Sequence, residues 1–114
     1  MLIYNHPSGR LGNAAFRYIA SIVFGSVYNT QFTISESPPS NPITINDEYF
    51  IEWLAKTKLN QPPEIDLTKN YIFVGYFQHD YSPFKQIIKT YIQNHPNDKL
   101  WTDGNICQSN QYNY

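Results

Sequence analysis

Near the amino terminus, Gly9-Arg10-Leu11-Gly12-Asn13 combines residue types that handle an anion. Two closely spaced glycines let the backbone turn tightly and approach a ligand. Free N–H groups at the start of a following helix favour an anion, phosphate being the usual one. Arg10 adds a guanidinium to that pocket. The same glycines also suit a plain strand-to-helix turn. The spacing is neither Gly-x-x-x-x-Gly-Lys nor Gly-x-Gly-x-x-Gly, so it supports neither nucleotide hydrolysis nor dinucleotide binding. A second pair, His79-Asp80, follows a predicted strand, where open α/β sheets place ligands. It could supply a base for an acceptor hydroxyl; the plain alternative is a solvated loop pair.

The remaining chemistry-bearing residues point to less. His6, His79 and His95 lack the spacing of metal ligands. Cys107 is the only cysteine, which excludes an internal disulfide and a multi-cysteine zinc site. It lies in a polar stretch with no base near it in sequence, a poor setting for a nucleophile. Trp53, Trp101 and the many tyrosines could stack on sugar rings. Phe16, Trp53, Phe84 and Tyr91, however, sit at helical spacing and read as core.

The elements that must position these residues alternate. Residues 1–5 form a short apolar strand, closed by His6-Pro7 because proline lacks a donor and restricts its predecessor. Ala14 to Phe24 reads as a helix, with Phe16, Ile19, Ala20 and Val23 on one face, and Gly25 or Asn29 can end it. Residues 31–35 suit a second strand. Ser37-Pro38-Pro39-Ser40-Asn41-Pro42 is a breaker cluster. A second helix starts at Asn46, a good N-cap, with Asp47 and Glu48 at the positive end of its dipole, and Pro62-Pro63 closes that region. Residues 71–75 are the clearest strand, a continuous apolar run. Ser82 as N-cap and Pro83 at the first helical position open a third helix, striped by Phe84, Ile87, Ile88, Tyr91 and Ile92. Asn94-His95-Pro96 ends it.

This order predicts an α/β fold, a small Rossmann-like three-layer unit around a short parallel sheet with right-handed crossovers. Three parallel strands leave two open edges, so the chain reads as part of something larger. Residues 1–96 form the domain, possible incompleteness included, and 97–114 read as a frayed polar tail.

Composition narrows the classes further. The 114 residues hold one small domain at most. Charged residues are 15%, below the usual ~25%, and aromatics reach 17%, which marks a globular chain. A net charge of −1 gives no footprint for nucleic acid or anionic membrane. The most apolar stretch, Tyr18 to Tyr28, is shorter than the roughly 20 residues a membrane span needs. The first residues show no signal peptide, so a soluble cytoplasmic or otherwise intracellular protein is expected.

Ser8-Gly9-Arg10-Leu11-Gly12-Asn13-Ala14-Ala15-Phe16-Arg17-Tyr18-Ile19 resembles the opening of the α-1,2-fucosyltransferase family, where a strand leads into Gly-x-Leu-Gly-Asn-Gln-x-Phe-x-Tyr-Ala. Val74-Gly75-Tyr76-Phe77-Gln78, followed by Tyr81, Phe84 and a helix, is similar to that family's Gly-Tyr-Phe-Gln segment. The two lie in the family's order, and the resemblance covers residues 1–96. It implies the Rossmann-like N-terminal half of a two-domain, GT-B-type glycosyltransferase. Such enzymes move fucose from GDP-fucose to a sugar hydroxyl with inversion, without a metal or other cofactor. Gly9, Arg10, Gly12 and Asn13 would bind the donor, and Gln78, His79 and Asp80 would face the acceptor or the cleft.

There are departures. Arg10 stands where many members have Gly, and Ala14 where many have Gln. The family's His-x-Arg-Arg-type motif, whose arginine stabilises the leaving diphosphate, has no counterpart, since Arg10 and Arg17 are the only arginines. Such charge stabilisation is often the largest catalytic term. The expectation is therefore a truncated or split half, or a degenerate relative, inactive alone and completed by a complementary C-terminal half or a second copy. Two other classes compete. One is a non-catalytic sugar- or nucleotide-binding module. The other is a KH-type nucleic-acid domain, whose clamp has the form Gly-Arg-Leu-Gly but needs a helix before it and a basic surface.

Overall fold

The computed structural model describes residues 1–7 and 11–96, the side chains of 11–13 excepted. Its elements are β1 (Leu2–Asn5), α1 (Leu11–Ser26), β2 (Thr33–Ser35), β3 (Ile43–Asn46), α2 (Asp47–Lys58), β4 (Tyr71–Val74), a 3₁₀ turn (Ser82–Phe84) and α3 (Lys85–Asn94). The four strands form one all-parallel sheet in the order β2-β1-β4-β3. The α/β class and the parallel sheet of the sequence reading therefore hold.

β3 is the element that reading lacked. Ile43-Thr44-Ile45 is a short alternation wedged between the proline cluster and a helix cap, so no strand signal stands clear of its neighbours. Pairing of Ile43 with Tyr71 and Ile45 with Phe73 makes β4 an interior strand. That explains the continuous apolar run at 71–74.

The helices sit in two layers with the sheet, not three. Parallel βαβ units are right-handed. Both β1-α1-β2 and β3-α2-β4 step in the same direction across the sheet, so one handedness puts α1 and α2 on the same face. Phe73 of β4 accordingly meets both Phe24 of α1 and Phe50 of α2, at ring separations of 5.3 and 5.8 Å. α3 joins the same side through Tyr91, which meets Tyr18 of α1 at 6.3 Å. The 36–42 connection steps the other way, from one edge to the other, and the same rule takes it over the opposite face. There Tyr4, Ile72 and Val74 are only half-buried, and Leu2 is exposed.

An aromatic cluster forms most of the core, beside a smaller group of Tyr18, Ile22 and Ile34. Phe24 lies within 5.1–5.9 Å of Tyr28, Trp53, Tyr71 and Phe73. Trp53 Nε1 donates to Tyr28 Oη at 2.7 Å, and that hydroxyl donates to the Pro63 carbonyl at 2.5 Å. A buried indole N–H thus finds the partner it requires. Of the four expected core aromatics, Trp53 and Phe84 are buried, while Phe16 is half-buried against the larger cluster and Tyr91 against the smaller.

Helix ends follow local chemistry, with one correction. Asn46 Oδ1 accepts the Tyr49 N–H at 2.8 Å, the expected cap of α2. α1 runs to Ser26, and Asn29 takes the left-handed conformation just beyond it (φ 52°), which asparagine tolerates best among non-glycine residues. Ser82 does not cap the third helix. Pro83 favours a 3₁₀ turn first, α3 begins only at Lys85, and the Ser82 hydroxyl is turned back to Asp80.

Candidate functional site

The ligand side of a parallel sheet is its carboxyl edge, where strands end and helices begin. β1 and β4, hydrogen-bonded neighbours, end there side by side. The loop after β4 is the best-defined feature of that edge. Gly75 takes φ 154° and Phe77 takes φ 54°. A non-glycine residue in the left-handed region costs roughly 1–2 kcal/mol, so the surroundings must hold it. Asp47, the first residue of α2, does this with both carboxylate oxygens. Oδ2 accepts the Tyr76 N–H at 3.0 Å and Oδ1 accepts the Phe77 N–H at 2.8 Å. The Phe77 carbonyl in turn accepts the Tyr81 hydroxyl at 2.6 Å. A Cβ on Gly75 would stand 2.5 Å from Asp47 Oδ2, so this close approach requires glycine.

Arg17 ties the β4 loop to α1. It is buried, and its Nη1 donates to the Gly75 carbonyl at 2.7 Å. Burial pushes its pKa down, while the charges of Asp47 and Tyr76 pull it back up. One turn further on, Ser21 Oγ lies 2.6 Å from Asn5 Oδ1 and 2.8 Å from the Arg17 carbonyl, joining the end of β1 to the same helix. Burial, with Asp47 nearby, also raises the pKa of the Tyr81 phenol, which stays a protonated donor. Tyr76 projects from this held loop and is exposed.

The residues expected to act from the sequence divide in three. Gly9 and Arg10 lie outside the described residues. Gly12 and Asn13 are in the first turn of α1, which begins at Leu11, three residues earlier than the sequence periodicity indicates. Gln78, His79 and Asp80 lie together in the loop after β4. Their settings differ. Asp80 is exposed, and its Oδ1 accepts both the hydroxyl and the N–H of Ser82, the latter at 3.0 Å. Those bonds hold its carboxyl below the ordinary range, which makes it a turn-former and a weak base. His79 is half-buried, with its ring over Phe50 at 5.9 Å, and its buried Nε2 has no hydrogen-bond partner among the described residues.

Sequence reasoning missed Arg17, Asp47 and Tyr81 as shapers of the site. Asp47 reads as an ordinary first-turn acid, and Arg17 as a polar residue on a helix. Only pairing of β3 with β4 puts Asp47 beside Gly75, so no local signal could find it. Among the described residues no group of three His, Cys, Asp or Glu side chains could hold a metal. No described helix is long and apolar enough to cross a membrane. The segment before the glycine loop is β1, not the helix that a KH clamp requires.

Beside this loop, between α1 and α3, lies a cavity of about 520 Å³. Phe16 of α1, the His79–Ser82 segment, and Lys85, Ile88, Lys89 and Ile92 of α3 line it. In comparisons with known proteins, the chain matches no family model, no curated protein and no solved structure.

Proposed function

We propose that the chain is the N-terminal, substrate-facing half of a fucosyltransferase-like glycosyltransferase, binding GDP-fucose and a sugar acceptor at the carboxyl edge of β1 and β4. One observation carries this reading. The two segments that resemble the α-1,2-fucosyltransferase family, far apart in sequence, meet in the fold: Arg17 in the first donates to the Gly75 carbonyl in the second. A chance pair of short matches has no reason to follow two adjacent strands of the sheet and share a hydrogen bond.

In this reading the glycine turn and the start of α1 face the donor diphosphate, where a helix N-terminus favours an anion. The loop after β4 faces the sugar. Transfer would still need a cation on the departing diphosphate. Arg17 is committed to the Gly75 carbonyl and buried, which leaves Arg10 as the only other arginine. The chain by itself is therefore expected to bind and not to turn over.

Calorimetric titration with GDP, GDP-fucose and UDP, run beside a transfer assay, tests this. Binding of GDP and GDP-fucose in preference to UDP, without turnover, is the expected result. Binding of no nucleotide would remove the reading. Turnover at enzymatic rates would keep the family and overturn the inactive half.

A further inference from the structure

The cavity between α1 and α3 opens broadly to the surface. Its volume of about 520 Å³ suits a small ligand. Phe16, Tyr81 and Ile88 give it an apolar wall, of the kind that receives the C–H face of a sugar ring. Lys85 and Lys89, one helical turn apart, give it a cationic rim. Neither ammonium has an ion-pair partner among the described residues.

Lys85 is also the first residue of α3, and the first turn of that helix holds no acid. The Ser82–Phe84 turn runs straight into α3, so the helical run starts at Ser82, whose N–H donates to Asp80. The cationic character of the cavity mouth therefore rests on the two lysines. Asp80, the one carboxylate in the lining, accepts from Ser82 and stays ionised, so the rim keeps one net positive charge.

We propose that this cavity binds an acidic saccharide, with the sugar ring on the Phe16–Tyr81 wall and its carboxylate or phosphate on Lys85 and Lys89. The proposal rests on the reading above, that the loop after β4 faces a sugar, and adds that the sugar is charged.

The test is an NMR titration of the full chain with three probes: a glucuronic acid-containing disaccharide, the same disaccharide with its carboxyl reduced to the alcohol, and glucose 6-phosphate. The acidic probes should shift the amides of Tyr81 and Ile88. The reduced disaccharide should bind about tenfold more weakly, as should either acid to the double variant Lys85→Ala/Lys89→Ala, on the scale of two partly solvated ion pairs. Lys85→Arg/Lys89→Arg keeps the charge and should restore binding. Which acidic probe binds more tightly tells carboxylate from phosphate recognition. Equal binding of the reduced disaccharide, or undiminished binding by the alanine variant, would overturn the proposal, as would the absence of any shift at the cavity. GDP-fucose, titrated separately, reports on the parent reading. Acid binding without GDP-fucose binding sinks that reading and leaves the cavity site; the reverse sinks the cavity site alone.

Discussion

At the carboxyl edge of the sheet, two strands pass to helices in opposite ways. β3 ends at Asn46 and α2 begins at Asp47, with no connecting residue. Asn46 is at once the last strand residue and the N-cap. β4 ends at Val74, and α3 does not begin until Lys85. The stretch between contains Gly75 at φ 154°, Phe77 at φ 54° and a 3₁₀ turn. The first junction needs only geometry, and one asparagine meets that need. The second is longer than a connection requires and holds an unfavourable backbone in place. Strain of this kind persists only where the surroundings over-determine it, and it gathers at functional sites. The simple junction also serves the strained one, because α2 begins with the Asp47 that holds the β4 loop.

Four substitutions break or sharpen that contrast, the largest effect first. Asp47→Ala removes a carboxylate that accepts two backbone N–H groups, and hydrogen bonds to charged groups are the stronger kind. A loss of about 3 kcal/mol in urea unfolding is expected. A loss no larger than that of Asn46→Ala would mean the β4 loop does not depend on the clamp. Gly75→Ala puts a Cβ against that carboxylate at an unfavourable φ and should cost about 2 kcal/mol. The Tyr76 and Phe77 amides should also exchange faster with solvent, which distinguishes an opened loop from general destabilisation. Asn46→Ala should cost about 1 kcal/mol, as an N-cap does, and leave exchange at Tyr76 and Phe77 unchanged.

The smallest effect concerns pH. Asp80 and Asp66 each accept from the hydroxyl and N–H of a nearby residue, Ser82 and Thr68, and both carboxyls are held below their ordinary value by those bonds. A group whose folded pKa is depressed stabilises the fold above its unfolded pKa and loses that effect as pH falls. Thermal unfolding should therefore show a shallow acid limb below about pH 4. Asp80→Asn should flatten part of it and lower stability at neutral pH by the same small amount, since the acid limb is the loss of that contribution. An unchanged acid limb in the variant would place the titration elsewhere.

How far these features could be read from the sequence depends on whether their cause is local. The start of α2 was legible because capping is a short-range bond between Asn46 and Tyr49. The 71–74 strand was legible because Tyr71-Ile72-Phe73-Val74 is a run of aromatic and β-branched residues closed by Gly75. β3 was not, because Ile43-Thr44-Ile45 carries too few residues to declare a period. Ser82 looked like a cap because serine usually is one, yet Pro83 favoured a 3₁₀ turn and Asp80 took the hydroxyl. Gln78, His79 and Asp80 were placed in the right loop, but their different settings follow from Phe50 and Ser82, not from their own types. Arg17 and Asp47 left no trace as site residues. Each is paired with a group in the loop after β4.

The sequence by itself determined the α/β alternation, the helix faces and the cap of α2, because these arise from side-chain periodicity and bonds spanning a few residues. It also determined a low charge density and a high aromatic content, and hence a core of stacked rings. Only the tertiary structure decided that β3 completes the sheet at one edge, that all three helices share one face, and that Arg17 and Asp47 converge on Gly75–Phe77. Those outcomes depend on the direction in which each right-handed crossover steps, a choice made between whole elements and written in no single segment of the chain.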